Sequence, residues 1–148
     1  MYTIEEFDKQ KSKVMNYILY KKRTEQEVKN KFSSIIEENM LEDILEYVKE
    51  AGYLSDNDYI ERSINEYRNL KNLSIKEIKY KLTSKGIRRG ELEDYVYEHI
   101  DELREYERQS ASNIARKKKN TMTQEEIIEY LYKKGYTEES IRNLVMDE

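Results

Sequence analysis

The 148-residue chain has 37% hydrophobic and 39% charged residues and a formal charge of −4, so one large apolar core is excluded and thin helical layers are favoured. The chain has no Cys and a single His, which removes disulfides, thiolate metal sites and thiol nucleophiles. Zero Pro and only four Gly favour helix over strand, and no apolar run is long enough to cross a bilayer. The N-terminal Met1-Tyr2-Thr3-Ile4-Glu5 is not a signal peptide, so the default expectation is a cytoplasmic protein.

Ile4, Phe7, Lys11, Val14 and Ile18 recur at helical spacing and predict a first helix from about Thr3 or Ile4 into Tyr20, with Lys11 snorkelling from the stripe. Lys21-Lys22-Arg23 leads to a cap at Thr24, and Val28 and Phe32 point a short second helix inward. A third helix starts after Glu37, carries Leu41, Ile44, Leu45 and Val48 on one stripe, and ends at Ala51-Gly52. Ser55 or Asp56 caps the next helix, whose apolar side runs through Ile60 and Ile64 to Tyr67 before a turn at Asn69 to Leu73.

Ser74 with Glu77 forms a capping box, Leu73 and Ile78 its hydrophobic staple, and Gly86 the left-handed stop. The same grammar recurs at Thr123 with Glu126, where Met122 and Ile127 are the staple and Gly135 the stop, and more weakly at Thr24 with Glu27, without a glycine. Thr24, Ser74 and Thr123 stand 50 and 49 residues apart, which is a repeat period. Leu92, Tyr95, Val96, Ile100 and Leu103 continue one apolar face, with a break expected near Ile100-Asp101. Helices through Tyr106, Ser110 and Ile114, from Thr123 to Lys134, and from Thr137 with Ile141, Leu144 and Val145 complete the chain. The expected fold is all-α: three tandem three-helix repeats, 1–54, 55–100 and 101–148, stacked into an elongated, curved array.

Charge is banded. Acid gathers at Glu37, Glu38, Glu42, Asp43, Glu46, Glu50, Asp56 and Asp58, and again from Glu93 to Glu107. Base gathers from Arg62 to Arg89 and in Arg116-Lys117-Lys118-Lys119, a pattern that suits either a solvated helical surface or a charged partner. No phosphate loop, nucleophile elbow or His pair at metal spacing is present. Asp56 and Asp58 lack the glycine and terminal Glu of a calcium loop and read as helix caps, and His99 reads as a hydrogen-bonded histidine at a joint. No catalytic, metal or cofactor residue is assigned, and the expectation is a non-enzyme. On the helix after Ser74, Lys76, Lys79, Tyr80 and Thr83 share a face away from Ile75, Ile78 and Leu82; an exposed aromatic between lysines can stack on a base or anchor a protein interface. Lys76, Lys79, Tyr80, Arg88 and Arg89 are the central partner-binding candidates. Arg62, Arg68, Arg116, Lys117, Lys118 and Lys119 are secondary.

Tandem three-helix units, Gly52-Tyr53-Leu54-Ser55-Asp56, Lys85-Gly86-Ile87, and the run from Lys133 to Ile141 (Lys-Lys-Gly-Tyr-Thr-Glu-Glu-Ser-Ile) together resemble the RecX family. The resemblance covers the chain from about Val14. It implies a cytoplasmic protein that binds the groove of the RecA filament on single-stranded DNA; with no sustained heptad pattern in the sequence, the expectation is a monomer. Such a protein limits filament extension, and thereby ATP hydrolysis and strand exchange, in DNA repair and homologous recombination; the acidic charge of this chain sets the expectation of at most weak direct DNA contact, and no small-molecule substrate is expected. Three features depart from the family pattern: Ser74-Ile75 stands where many relatives have Gly-Pro, no glycine stands near Ile35, and the charge is more acidic. The rival reading is an independent helix-turn-helix-like nucleic-acid binder using the Ser74 helix or its successor.

Overall fold

In the structure, a computed structural model, residues 1–146 are described, with side chains through residue 144; Val145, expected on the last apolar stripe, has its side chain outside them. Among the described residues every regular element is a helix: α1 (Ile4–Tyr20), α2 (Glu25–Phe32), α3 (Glu38–Glu50), α4 (Asp56–Leu70), α5 (Ile75–Ser84), α6 (Arg89–Glu98), α7 (Ile100–Lys118), α8 (Gln124–Lys133) and α9 (Glu138–Met146). The chain exposes 9932 Å², against about 8,000 Å² for a compact monomer of its 18.0 kDa. The excess is that of an extended array.

Local chemistry sets the helix ends. Full capping boxes form at Thr24, Ser74 and Thr123, so the first copy is as complete as the other two. Thr3 and Ser55 cap α1 and α4 by accepting from the amides of Glu6 and Asp58. The stop after α5 is left-handed at Gly86, and after α8 at Gly135. The end of α2 has no glycine, and its turn is built instead by the Ile36 amide donating to Phe32 O at 2.9 Å while Ile36 itself is buried. α4 continues through Leu70 into the segment expected to turn, and Lys71 takes the left-handed position there with φ 49°. The continuous face of α6 and α7 breaks at His99, one residue before the expected place; its Nδ1 lies 2.9 Å from Tyr95 O and its ring stacks on Tyr95.

The helices gather around three small cores. The first joins Val14 and Ile18 of α1 to Val28 and Phe32 of α2 and to Leu41, Ile44, Leu45 and Val48 of α3. Ile4, placed by spacing on this stripe, is instead 80% exposed. Tyr2 takes its place: it stacks on Phe7, packs on the first core and donates its hydroxyl to Asp43. Lys11 does snorkel, with Nζ 4.3 Å from the Tyr47 ring centre. The second core includes Ile60, Ile64, Ile78, Leu82, Leu92 and Val96. The third includes Ala111, Ile114, Ile127, Leu131 and Ile141. α7 serves two cores, giving Leu103 and Tyr106 to the second and Ala111 and Ile114 to the third.

Between cores the repeat grammar acquires a second use. A cap hydroxyl accepts from its own N3 amide through a lone pair, which leaves its proton free. Thr24 donates that proton to Lys85 O at 2.6 Å, and Ser74 donates its own to Lys134 O at 2.7 Å. Both cap residues have no solvent exposure. The next amide along is also taken from across the joint: Glu25 N donates to Asp56 Oδ1 and Ile75 N to Glu107 Oε2, each at 2.9 Å. Burial holds the Asp56 carboxyl above its usual range, opposed by the Glu25 amide.

Glu107 is the exception to the acidic band in which the sequence places it. It is 1% exposed and, among the described residues, makes no ion pair. Its charge is met by hydrogen bonds: Oε1 accepts from Thr137 N (2.9 Å), Thr137 Oγ1 (2.7 Å) and Ser140 Oγ (2.9 Å), while Oε2 takes Ile75 N. The carboxylate therefore sits against the N-terminal ends of α5 and α9, where helix dipoles favour an anion. Beside it, Tyr106 donates to Leu73 O at 2.7 Å, and the Ser110 and Tyr136 hydroxyls pair at 2.7 Å.

These joints generate testable predictions. Gly86→Ala forces a side chain onto φ +95° with its Cβ 2.3 Å from Gln26 Cβ, so it should cost about 2–4 kcal/mol in urea unfolding. Gly90→Ala, where a Cβ meets nothing, should stay within about 0.5 kcal/mol. Glu107→Gln puts an amide donor among four donors and should lose about 1–3 kcal/mol in the same measurement. Burial pushes the hydroxyl pKa of Tyr106 and Tyr136 above 10.0, so the folded chain keeps protons that the unfolded chain releases. Stability from these tyrosines is present below about pH 10 and lost above it. Titration at 295 nm should show the last tyrosines ionising together with loss of the helical circular-dichroism signal.

Candidate partner-binding faces

The helices place the sequence-predicted cations on several faces. Lys76 has a structural duty: its stem covers Gly135, where an added Cβ would lie 2.9 Å from Lys76 Cδ. Gln26, at the same step after Thr24, covers Gly86 in the same way, so Lys76 belongs to the repeat grammar through its stem and differs through its exposed amine. Lys79 is half-buried and pairs with Glu93 of α6 at 3.2 Å. Tyr80 is 74% exposed. Arg88 caps α6 by backbone alone, and Arg88 and Arg89 are both exposed. Lys79, Tyr80, Arg88 and Arg89 thus stand on consecutive elements around the second core.

The secondary candidates lie elsewhere. Arg68 bridges from α4 to Glu102 of α7 at 3.6 Å. Arg116, Lys117 and Lys118 form the last turn of α7 with Lys119 as its C-cap, where cations complement the helix dipole. Arg116 donates to Asn113 Oδ1 at 2.8 Å, and Lys118 Nζ lies 4.5 Å from the Tyr130 ring centre. Arg62 lines an open cleft between α1 and α4 with Lys21, Lys22, Tyr20 and Tyr53, residues that the sequence reading passed over. The sequence signal was available in part: Leu19 and Tyr20 fall off the apolar stripe of α1 just before two lysines. Among the described residues no group of His, Cys, Asp and Glu is arranged to hold a metal ion, and no helix is long and apolar enough to cross a membrane.

Comparison with known proteins agrees with this architecture. No family model matches the chain. In sequence it is 26% identical to the regulatory protein RecX of Clostridioides difficile, covering 95% of this chain and 68% of that protein. It is 27% identical to the regulatory protein RecX of Clostridium botulinum, covering 84% of this chain and 61% of that protein. The chain thus spans about two thirds of the length of these curated relatives. In fold it matches the crystal structure of RecX from Lactobacillus salivarius with a TM-score of 0.81 at 24% identity, over 98% of this chain and 97% of that one. A second crystal structure, of a regulatory protein RecX, matches with a TM-score of 0.75 at 22% identity, over 96% of this chain and 73% of that one. The two structures establish the helical repeat fold, and the two sequence matches, which run along most of the chain within that fold, are both to proteins named regulatory protein RecX.

Proposed function

We propose that the protein is a non-enzymatic regulator of the RecA recombinase that binds the RecA filament on single-stranded DNA and limits its extension, and with it ATP hydrolysis and strand exchange. The observation that carries this reading is the sequence match, along 95% of the chain, to a protein named regulatory protein RecX. The surface area above that of a compact monomer supports it, because an extended array can lie along a groove and touch several filament subunits. In this reading the repeats 1–54, 55–100 and 101–148 are the docking units of a cytoplasmic monomer. Lys76, Lys79, Tyr80, Arg88 and Arg89 are its central contacts, with the cations from Arg62 to Lys119 at its margins.

The helix-turn-helix alternative loses ground, for the Ser74 helix, to the joint chemistry. A recognition helix reads bases with its N-terminal residues. The N-terminal end of α5 is already committed, with Ser74 on Lys134 O and Ile75 N on Glu107.

The test is RecA ATPase on single-stranded DNA, titrated with this protein. The wild type should inhibit. Tyr80→Ala, which removes an exposed ring, and Lys76→Glu/Lys79→Glu/Arg88→Glu with unchanged circular dichroism should each need about tenfold or more protein for the same inhibition. Wild-type potency in both variants would remove these residues from the contact, and absence of any wild-type effect on RecA would remove the reading itself.

A further inference from the structure

Two clefts occupy corresponding places at successive joints, and they differ in how their charges are paired. At the second, α4 faces α7 across a cleft lined by Arg68, Lys71, Glu102 and Glu105. Arg68 reaches Glu102 at 3.6 Å, and Glu105 is held by Arg108 at 2.6 Å. At the first, α1 faces α4 across a cleft of about 620 Å³ whose lining includes Leu19, Tyr20, Lys21, Lys22, Tyr53 and Arg62. Among the described residues Glu66 is the one carboxylate lining it. Among the described residues Lys21, Lys22 and Arg62 make no ion pair, and all three are exposed. Tyr20 is 84% exposed, Leu19 65% and Tyr53 47%, so apolar surface and unpaired positive charge coincide on one concave site.

We propose that this cleft docks an acidic protein segment carrying an apolar or aromatic side chain, the side chain seated on Leu19, Tyr20 and Tyr53 and its flanking carboxylates on Lys21, Lys22 and Arg62. The cleft supplies the two things such an interface uses, an aromatic anchor site and a charged rim. Charge favours a short acidic segment over a nucleic-acid strand. α4, which lines the cleft, exposes Asp58 and Glu61, α3, whose end leads into Gly52 and Tyr53 of the lining, exposes Glu46 and Glu50, and the whole chain carries −4, so a continuous polyphosphate leaving the site meets like charge. A local acidic motif ends before it does. This inference does not rest on the RecA reading or on the face around α5, and shares only Arg62 with the contacts proposed above.

The experiment is a residue-resolved NMR titration of the full chain with the peptide Glu-Glu-Phe-Glu-Glu and, separately, with a ten-nucleotide oligothymidylate. The peptide should shift the amides of Tyr20, Lys21, Lys22, Tyr53 and Arg62 saturably. Its affinity should fall about tenfold in Lys22→Glu/Arg62→Glu and about threefold or more in Tyr20→Ala, all exposed positions whose substitution leaves the fold intact by circular dichroism. Lys79→Glu, on another face, should bind as the wild type does. The proposal is overturned if the peptide leaves these amides unmoved at millimolar concentration, if the cleft variants bind it as tightly as the wild type, or if oligothymidylate moves the same amides at lower concentration than the peptide.

Discussion

A serine or threonine hydroxyl that caps a helix has used a lone pair and still holds a proton, and the arrangement of this molecule follows from where that proton goes. Ser74 accepts from Glu77 N at 3.0 Å and donates to Lys134 O at 2.7 Å, so one side chain ends one helix and holds the end of another sixty residues on. Thr24 does the same for Lys85. The carbonyl acceptor is available because Gly86 and Gly135 turn the chain left-handed just after it, and the same glycines leave room for the stems of Gln26 and Lys76. Thus the cap, the glycine and the residue two steps after the cap form one repeated unit of contact. Thr123 caps α8 and is exposed, since no further described helix end lies over it.

Thin cores make these polar joints matter. Each core is small, and a buried hydrogen bond has a definite direction where apolar packing does not. Glu107 concentrates this at the second joint, since one carboxylate accepts from the start of α5 and the start of α9. The first joint uses a half-buried Asp56 on a single amide and leaves an unpaired basic cleft open beside it. The two clefts therefore differ: at the second Arg68 of α4 reaches Glu102 of α7, and at the first Lys21, Lys22 and Arg62 make no ion pair among the described residues.

Much of this was legible in the residues. Periodicity and caps gave the helices to within a few residues, and the 50- and 49-residue spacing of the caps gave the repetition, because both signals live within a helix or its end. Ile4 misled because spacing alone cannot tell that Tyr2, outside the helix, covers Phe7 first. Glu107 sits in a run of acids, and nothing local distinguishes it from solvated Glu105; its partners, Ile75, Thr137 and Ser140, come from helices far away in sequence. The charge of Lys76 draws attention in the sequence, but its methylenes do the packing. The cleft at Tyr20, Lys22, Tyr53 and Arg62 draws on separate segments, each unremarkable by itself.

The direct test of the account is whether the cap proton and the buried carboxylate hold one joint together. A double-mutant cycle of Ser74→Ala and Glu107→Gln, read by urea unfolding, measures this. Because both groups tie α5 to the helices of the third core, the joint account predicts that either single change weakens the other's contribution, with a coupling of about 0.5–3 kcal/mol. Losses that add within about 0.3 kcal/mol would contradict it, leaving Ser74 as an ordinary cap and Glu107 as an isolated buried acid.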